Sequence, residues 1–135
     1  MNIHCPFCEI AKHDKSHRII VQDEFAFVIR DGFPVSEGHT LIIPKRHVAS
    51  FFEISNGERQ ALLDLLDQTK KELDKEFSPA AYNIGINDGI AGGQTVPHLH
   101  IHLIPRYEGD VLDPRGGIRW LFPDKADYWS ATHDK

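Results

Sequence analysis

The alternation of apolar and polar positions predicts five strands and one long helix. Ile19-Ile20-Val21 and Phe25-Ala26-Phe27-Val28-Ile29 read as two short strands with Gln22-Asp23-Glu24 as the turn between them. Asp31-Gly32-Phe33-Pro34 is then a loop. His39-Thr40-Leu41-Ile42-Ile43 is a third strand, ended by Pro44, which has no N–H to give to a ladder. From about Asn56 to Phe77 the period becomes helical. Leu62, Leu65, Leu66, Thr69 and Leu73 form one stripe, and Lys70, Lys71, Glu72 and Asp74 decorate a solvated side. Ser55 and Glu58 fit a capping box at its start, and Pro79 forbids continuation. Tyr82 to Ile86 is a fourth strand. Asn87 to Gly93 follows as a glycine-rich turn, either a plain hairpin connection or a place where a ligand approaches the backbone.

That turn leads into His98-Leu99-His100-Ile101-His102-Leu103, three histidines alternating with three aliphatic residues. On a strand the histidines line one face and Leu99, Ile101 and Leu103 enter a core on the other. On a helix they would scatter around the cylinder. Successive imidazoles stand roughly 6.6 Å apart along such a strand, so one phosphate or metal is within reach of two. A row of this kind is a functional site. After Arg106 the segment from Asp113 to Pro123 is punctuated by Gly and Pro, which argues against regular structure. Its Trp120 and Phe122, with Trp129, point to packing on the domain or on a partner subunit.

Composition adds bounds. The 135 residues suffice for one domain, residues 1–135, with a core over about 5–107 and a tail over 108–135. The formal charge of −5 leaves no basic excess for a nucleic-acid backbone, so no nucleic-acid partner is expected. No apolar leader or membrane-length run is present in this sequence, and the expectation is a cytoplasmic protein without a membrane partner. In a reducing compartment Cys5-Pro6-Phe7-Cys8 points to metal ligation or redox chemistry more than to a disulfide. One such pair is half of a four-ligand zinc site, and a short helix is expected beside it.

Two chemistries suit the histidine row. Three imidazoles can hold a catalytic metal with an open position for water. Alternatively, one imidazole attacks phosphorus and forms a covalent phospho-histidine, while its neighbours stabilise the charged oxygens. Gly92-Gly93-Gln94-Thr95 before the row is the kind of surrounding a phosphate wants.

His98-Leu99-His100-Ile101-His102-Leu103-Ile104 resembles the signature of the histidine triad (HIT) superfamily of nucleotide hydrolases and transferases. Gly38-His39-Thr40-Leu41-Ile42-Ile43-Pro44-Lys45-Arg46-His47 is similar to a second family segment, and Asn87 to Val96 to the loop that precedes the triad. The resemblance covers roughly residues 5 to 107. It implies an α+β fold, an antiparallel sheet of about five strands with one long helix and a short N-terminal helix, and a homodimer. It implies His100 as the nucleophile at a nucleoside α-phosphate, His102 on the phosphate oxygens and His39 as support for the nucleophile's surroundings. Gln94, Thr95 and Asn87 would meet the phosphates and Asp31 the ribose hydroxyls. Phe27 and Ile10 are candidates for the base pocket or for the core. The zinc-containing branch of the family implies Cys5, Cys8, His47 and His98 as ligands of a structural zinc, with His13 as a substitute should His47 stand too far away. Pro97 departs from some relatives by removing a backbone donor. His4, His13, His17 and His133 carry no motif and read as surface residues.

The resulting expectation is a nucleotide hydrolase or nucleotidyl transferase. It would cleave a phosphoanhydride or phosphoramidate, as in diadenosine tetraphosphate or an adenosine phosphoramidate, through a nucleotidyl-histidine. A neutral His100 is then required, so activity should fall on acidification through the range where histidine titrates. The alternatives are a metal-dependent hydrolase that uses the triad as ligands and a nucleotide-binding module without turnover.

Overall fold

The computed structural model describes residues 4–13 and 17–130; His133 lies outside them. A five-stranded antiparallel sheet has the order β1-β2-β3-β5-β4, with β1 at Ile19–Gln22, β2 at Ala26–Arg30, β3 at Thr40–Pro44, β4 at Ala81–Ile86 and β5 at Ile101–Arg106. A helix α1 (Pro6–Lys12) precedes the sheet and α2 (Asn56–Phe77) joins β3 to β4. The α+β architecture that the family resemblance implies is the one observed.

Alternation along the strands builds two cores. Ala26, Val28, Ile42, Leu99, Ile101 and Leu103 face α2, where they pack on Ala61, Leu62, Leu65 and Leu73. Phe27, Ile29, Leu41 and Ile43 point to the opposite face, which α1 covers with Cys5 and Phe7. Phe27 is wholly buried in this second core, and Ile10 packs against it half-buried. The histidines occupy this α1 face; in the register of β3 and β5, Leu41 stands opposite His102.

The helix start forms as its sequence dictates. Ser55 Oγ accepts from Glu58 N–H at 3.1 Å, and Glu58 Oε1 accepts from Ser55 N–H at 2.8 Å. Glu58 is nevertheless buried, because Arg46 grips it with two hydrogen bonds of 2.9 and 2.8 Å. Those bonds, against the cost of burial, hold the Glu58 carboxyl down at about 2. The pair fastens the chain just before His47 to the first turn of α2.

Two expectations need correction. The fifth strand begins at Ile101, so His98 and His100 precede the regular ladder. The cross-strand pairing stops there: Ile86, the last residue of β4, and Ile42 of β3 both pair with Ile101, and beyond that point Leu99 N–H turns to Val48 O at 2.7 Å. The alternation of faces still persists through residues 98–100. The tail is also not irregular: a 3-10 turn at Gly117–Leu121 leads into α3 (Pro123–Ala126). Pro123 sits at the start of α3, where its missing N–H is not needed. The tail packs largely on itself, with Arg115 over Trp129 and Arg119 over Tyr128, both at 4.7 Å. Gly116 (φ +92) makes the fold-back possible, since a Cβ there would meet the Trp129 ring at 3.1 Å. No helix among the described residues is long and apolar enough to cross a membrane.

Candidate active site and metal centre

The Cys-Pro-Phe-Cys segment forms the first turn of α1. Cys5 is the N-cap, its sulfur accepting from Cys8 N–H at 3.4 Å, and Pro6 takes the position after it. One helical turn therefore brings both sulfurs to the same side. His47 arrives three residues after β3, and His98 arrives from the approach to β5. His98 Nε2–H donates to Pro44 O at 2.8 Å, which fixes the tautomer and leaves Nδ1 to face the thiols.

The four donors converge. His98 Nδ1 lies 3.3 Å from Cys5 Sγ, 3.5 Å from Cys8 Sγ and 3.2 Å from His47 Nδ1, and Cys8 Sγ lies 3.2 Å from His47 Nδ1. A tetrahedral zinc calls for N···N of about 3.3 Å and N···S of about 3.6 Å. These spacings fit that ion. Burial and the neighbouring Cys5 sulfur push the Cys8 thiol up to about 11, so a cation at the cluster is what would let Cys8 ionise. His13 is not part of the cluster.

The carbonyl of His98 performs a second task. His100 Nδ1–H donates to it at 2.8 Å, leaving Nε2 with a lone pair. Phe7, from between the two cysteines, lays its edge against His98 and His100 with ring centroids 5.7 and 5.0 Å apart. His102 also sets its ring edgewise against His100, with centroids 5.0 Å apart.

A chain of protons fixes the remaining imidazoles. Val35 N–H donates to His39 Nδ1 at 3.1 Å, so in the neutral ring Nε2 carries the hydrogen. That hydrogen points to His102 Nδ1 at 2.9 Å, with Asp31 Oδ2 at 3.4 Å as a second acceptor. His102 Nδ1 is thereby an acceptor and its Nε2 a donor. His102 Nε2 is buried without a hydrogen-bond partner among the described residues. A buried donor left open is costly unless a ligand completes it, and an anionic oxygen would do so. Burial, then the neighbouring His100 and His39, press the His102 pKa down to about 4.

This geometry bears on the metal-dependent alternative. His98 Nδ1 faces the thiols and His100 Nδ1 faces a carbonyl, so the triad does not converge on one point. Asp31, His39 and His102 do come together. There, however, the Val35 amide obliges His39 Nε2 to bear its hydrogen, which leaves that nitrogen no lone pair for an ion.

The glycine turn places Asn87 half-buried and Thr95 exposed. Gln94 is engaged internally: its Oε1 accepts from Gly89 N–H at 2.8 Å, and its Nε2–H groups donate to Ala49 O and Val96 O at 3.0 and 3.1 Å. Asp31 Oδ1 accepts from Phe33 N–H at 2.8 Å, and its other oxygen adjoins His39.

The profile of the HIT domain matches residues 12–109. The chain belongs to the HIT family. Within it, an asymmetrical bis(5'-nucleosyl)-tetraphosphatase of Schizosaccharomyces pombe is 42% identical over 80 residues, 59% of this chain and 44% of that protein. An adenosine 5'-monophosphoramidase of the same organism is 35% identical over 102 residues, 76% of this chain and 74% of that protein. The crystal structure of a Zn-bound histidine triad family protein from Mycobacterium smegmatis superposes with a TM-score of 0.72 at 34% identity, covering 81% of this chain and 79% of that one.

Residues that sequence reasoning missed in this HIT protein are Phe7, Val35 and Asp88. Phe7 lay in plain view between the cysteines. Val35 acts through its amide, which no side-chain pattern reveals. Asp88 is hidden in an Asn-Asp-Gly turn.

The His102 shift predicts acid sensitivity. An unfolded histidine takes up its proton near 6.5, whereas folded His102 resists until about 4. The unfolded chain therefore binds more protons between those values, and stability falls as pH drops through that window. The urea midpoint, measured from about pH 7 to about pH 4.5, should decline. His102→Gln should decline less steeply; equal slopes would remove His102 as the cause.

Proposed function

We propose that this HIT protein is a nucleotide hydrolase that cleaves a phosphoanhydride or phosphoramidate at a nucleoside α-phosphate, with His100 as a covalent nucleophile. The observation that carries the reading is the bond from His100 Nδ1–H to His98 O, which leaves Nε2 unprotonated beside the open donor of His102. His100 Nε2 attacks the α-phosphorus, forming an N–P bond as the bond to the leaving group breaks, and the leaving group departs with a proton. Water then attacks the same phosphorus, breaking the N–P bond and returning His100 with a nucleoside monophosphate.

His102 Nε2–H stabilises the oxygen that gains charge, and His39 holds His102 in the required tautomer. Asn87 and Thr95 meet the phosphate oxygens. Gln94 serves from behind by holding their loop, its amide being already engaged. Asp31 accepts from the ribose hydroxyls with the oxygen not spent on Phe33. Cys5, Cys8, His47 and His98 hold a structural zinc that fixes the N-terminal turn and the approach to the triad. The tetraphosphatase and monophosphoramidase relatives support both leaving-group classes as substrates.

The protein works as a homodimer on this reading. Among the described residues no strand pairs with the outer edge of β4, which exposes about half of Ile84, a surface that a second copy would cover.

The test is intact-protein mass spectrometry after rapid quenching, with diadenosine tetraphosphate and with an adenosine phosphoramidate. A gain of one nucleoside monophosphate on the peptide spanning 98–102 is expected. Turnover with no such adduct at any quench time would overturn the covalent mechanism.

A further inference from the structure

The glycine turn between β4 and the triad contains little that ought to keep it in one shape. Gly89 and Gly93 sit at φ +89 and +96, and Ile90, its one large apolar side chain, is 92% exposed. An added Cβ at Gly89 or Gly92 would meet nothing within 4 Å. A segment with three glycines and no apolar anchor gives up much conformational entropy when it orders. Something polar must hold it.

Two side chains do so, one at each end of the turn, and both reach the same short stretch of chain. At the far end Gln94 bridges Gly89 N–H to Ala49 O. At the near end Asp88 Oδ2 accepts from Ser50 Oγ–H at 3.1 Å and from Phe51 N–H at 2.9 Å. Ser50 Oγ in turn accepts from Phe52 N–H at 3.1 Å, so Asp88 and Ser50 together cap the 3-10 turn at Phe51–Glu53. Residues 48–51 are a firm base. Val48 O takes the amide of Leu99, and Phe51 packs against the α2-side core while Arg59 covers its ring at 4.9 Å.

We infer that Asp88 is a positioning residue: by tying the glycine turn to residues 50–51, it holds Asn87 and Thr95 in place before any substrate arrives. The inference rests, for its effect on substrate, on the phosphate-binding role of the turn proposed above. Asp88 touches no reacting atom. Its carboxylate is spent on Ser50 and Phe51, and what it supplies is pre-organisation. Asparagine can satisfy both donors through its amide oxygen, whereas alanine can satisfy neither.

The test compares wild type, Asp88→Ala and Asp88→Asn by hydrogen exchange and by steady-state kinetics with an adenosine phosphoramidate. In Asp88→Ala the amides of Gly89, Gly92, Gly93 and Gln94 should exchange about tenfold faster, with those of 101–106 unchanged. If the turn is ordered only about a tenth of the time, KM should rise about tenfold while kcat stays within about twofold. Asp88→Asn should restore both to near wild-type values. A merely structural role would instead lower Tm and the active fraction, moving apparent kcat and leaving KM alone. Unchanged exchange in the turn of Asp88→Ala overturns the inference by itself. Faster exchange with unchanged KM shows that Asp88 holds the turn but that the turn does not serve the phosphates, which overturns the positioning role and the part of the function assigned to the turn.

Discussion

Replacing His100 with alanine should lower kcat/KM by about four orders of magnitude or more, with KM changing far less. The expectation follows from what the ring is placed to do. Its Nδ1–H is committed to the His98 carbonyl, and the rings of Phe7 and His102 lie against it. The lone pair left on Nε2 belongs to a ring that adjoins His102, whose buried Nε2 has no hydrogen-bond partner among the described residues. On the proposed mechanism, alanine removes the covalent route and leaves direct attack by water, which must then proceed without the two-step path. The loss is of chemistry and not of folding. His100 is half-buried, and neither core counts it as a member, so the thermal midpoint of the variant should stay near that of the wild type. Steady-state rates beside a thermal melt decide it. A variant that turns over within about tenfold of wild type would strip His100 of its role.

Removing the metal should have the largest effect on stability. Purified from cells without chelators, the protein should carry about one zinc per chain, and Cys5→Ala should carry far less. α1 has seven residues, well below the length at which a helix holds itself in water. It stays on the sheet through Cys5 and Phe7, half-buried Cys8, Ile10 and Ala11, and the four-donor cluster. With the ion gone, two thiols and two imidazoles are left in contact with no common partner. A loss of about 3 kcal/mol, or a fall in Tm of about 10 °C, is expected for a chain of this length. Far-UV circular dichroism should change little, because the five strands and α2 do not depend on the ion. Metal analysis with a melt before and after chelation provides the check. Full removal of the ion with an unchanged Tm would leave the cluster without a stabilising role.

Much of this architecture could be read directly from the chain. The apolar runs of β2 and β3, the alternation of β5 and the period of α2 are strong because each of these elements buries one face or both. The Ser55–Glu58 box is legible because capping is a local matter. Cys5 and Cys8 announce themselves as half of a site, but their partners stand 39 and 90 residues further on, and only the likeness to a family brought them together. The histidine row was legible as a face; its internal division was not. Nothing in the alternation says that His98 turns to the thiols while His100 and His102 stay outside that cluster. The tautomers were invisible for a related reason. They are set by the Val35 amide and the carbonyls of Pro44 and His98, backbone groups every residue possesses. The start of β5 and the helical turns of the tail depended on where cross-strand pairing stops and on a fold-back around Gly116, both tertiary events.

One residue joins the two centres. His98 offers its ring to the metal cluster and its carbonyl to His100, and the two duties differ in what they ask of heredity. The first needs imidazole. The second needs only a peptide oxygen at a fixed angle, which any amino acid at that place would provide. A descendant could therefore give up the cysteine pair and its ion and still keep the reactive imidazole aimed, provided an apolar plug at the N-terminus held the same stretch of backbone. The four-donor cluster is thus the more replaceable feature, and the carbonyl behind it the stricter constraint.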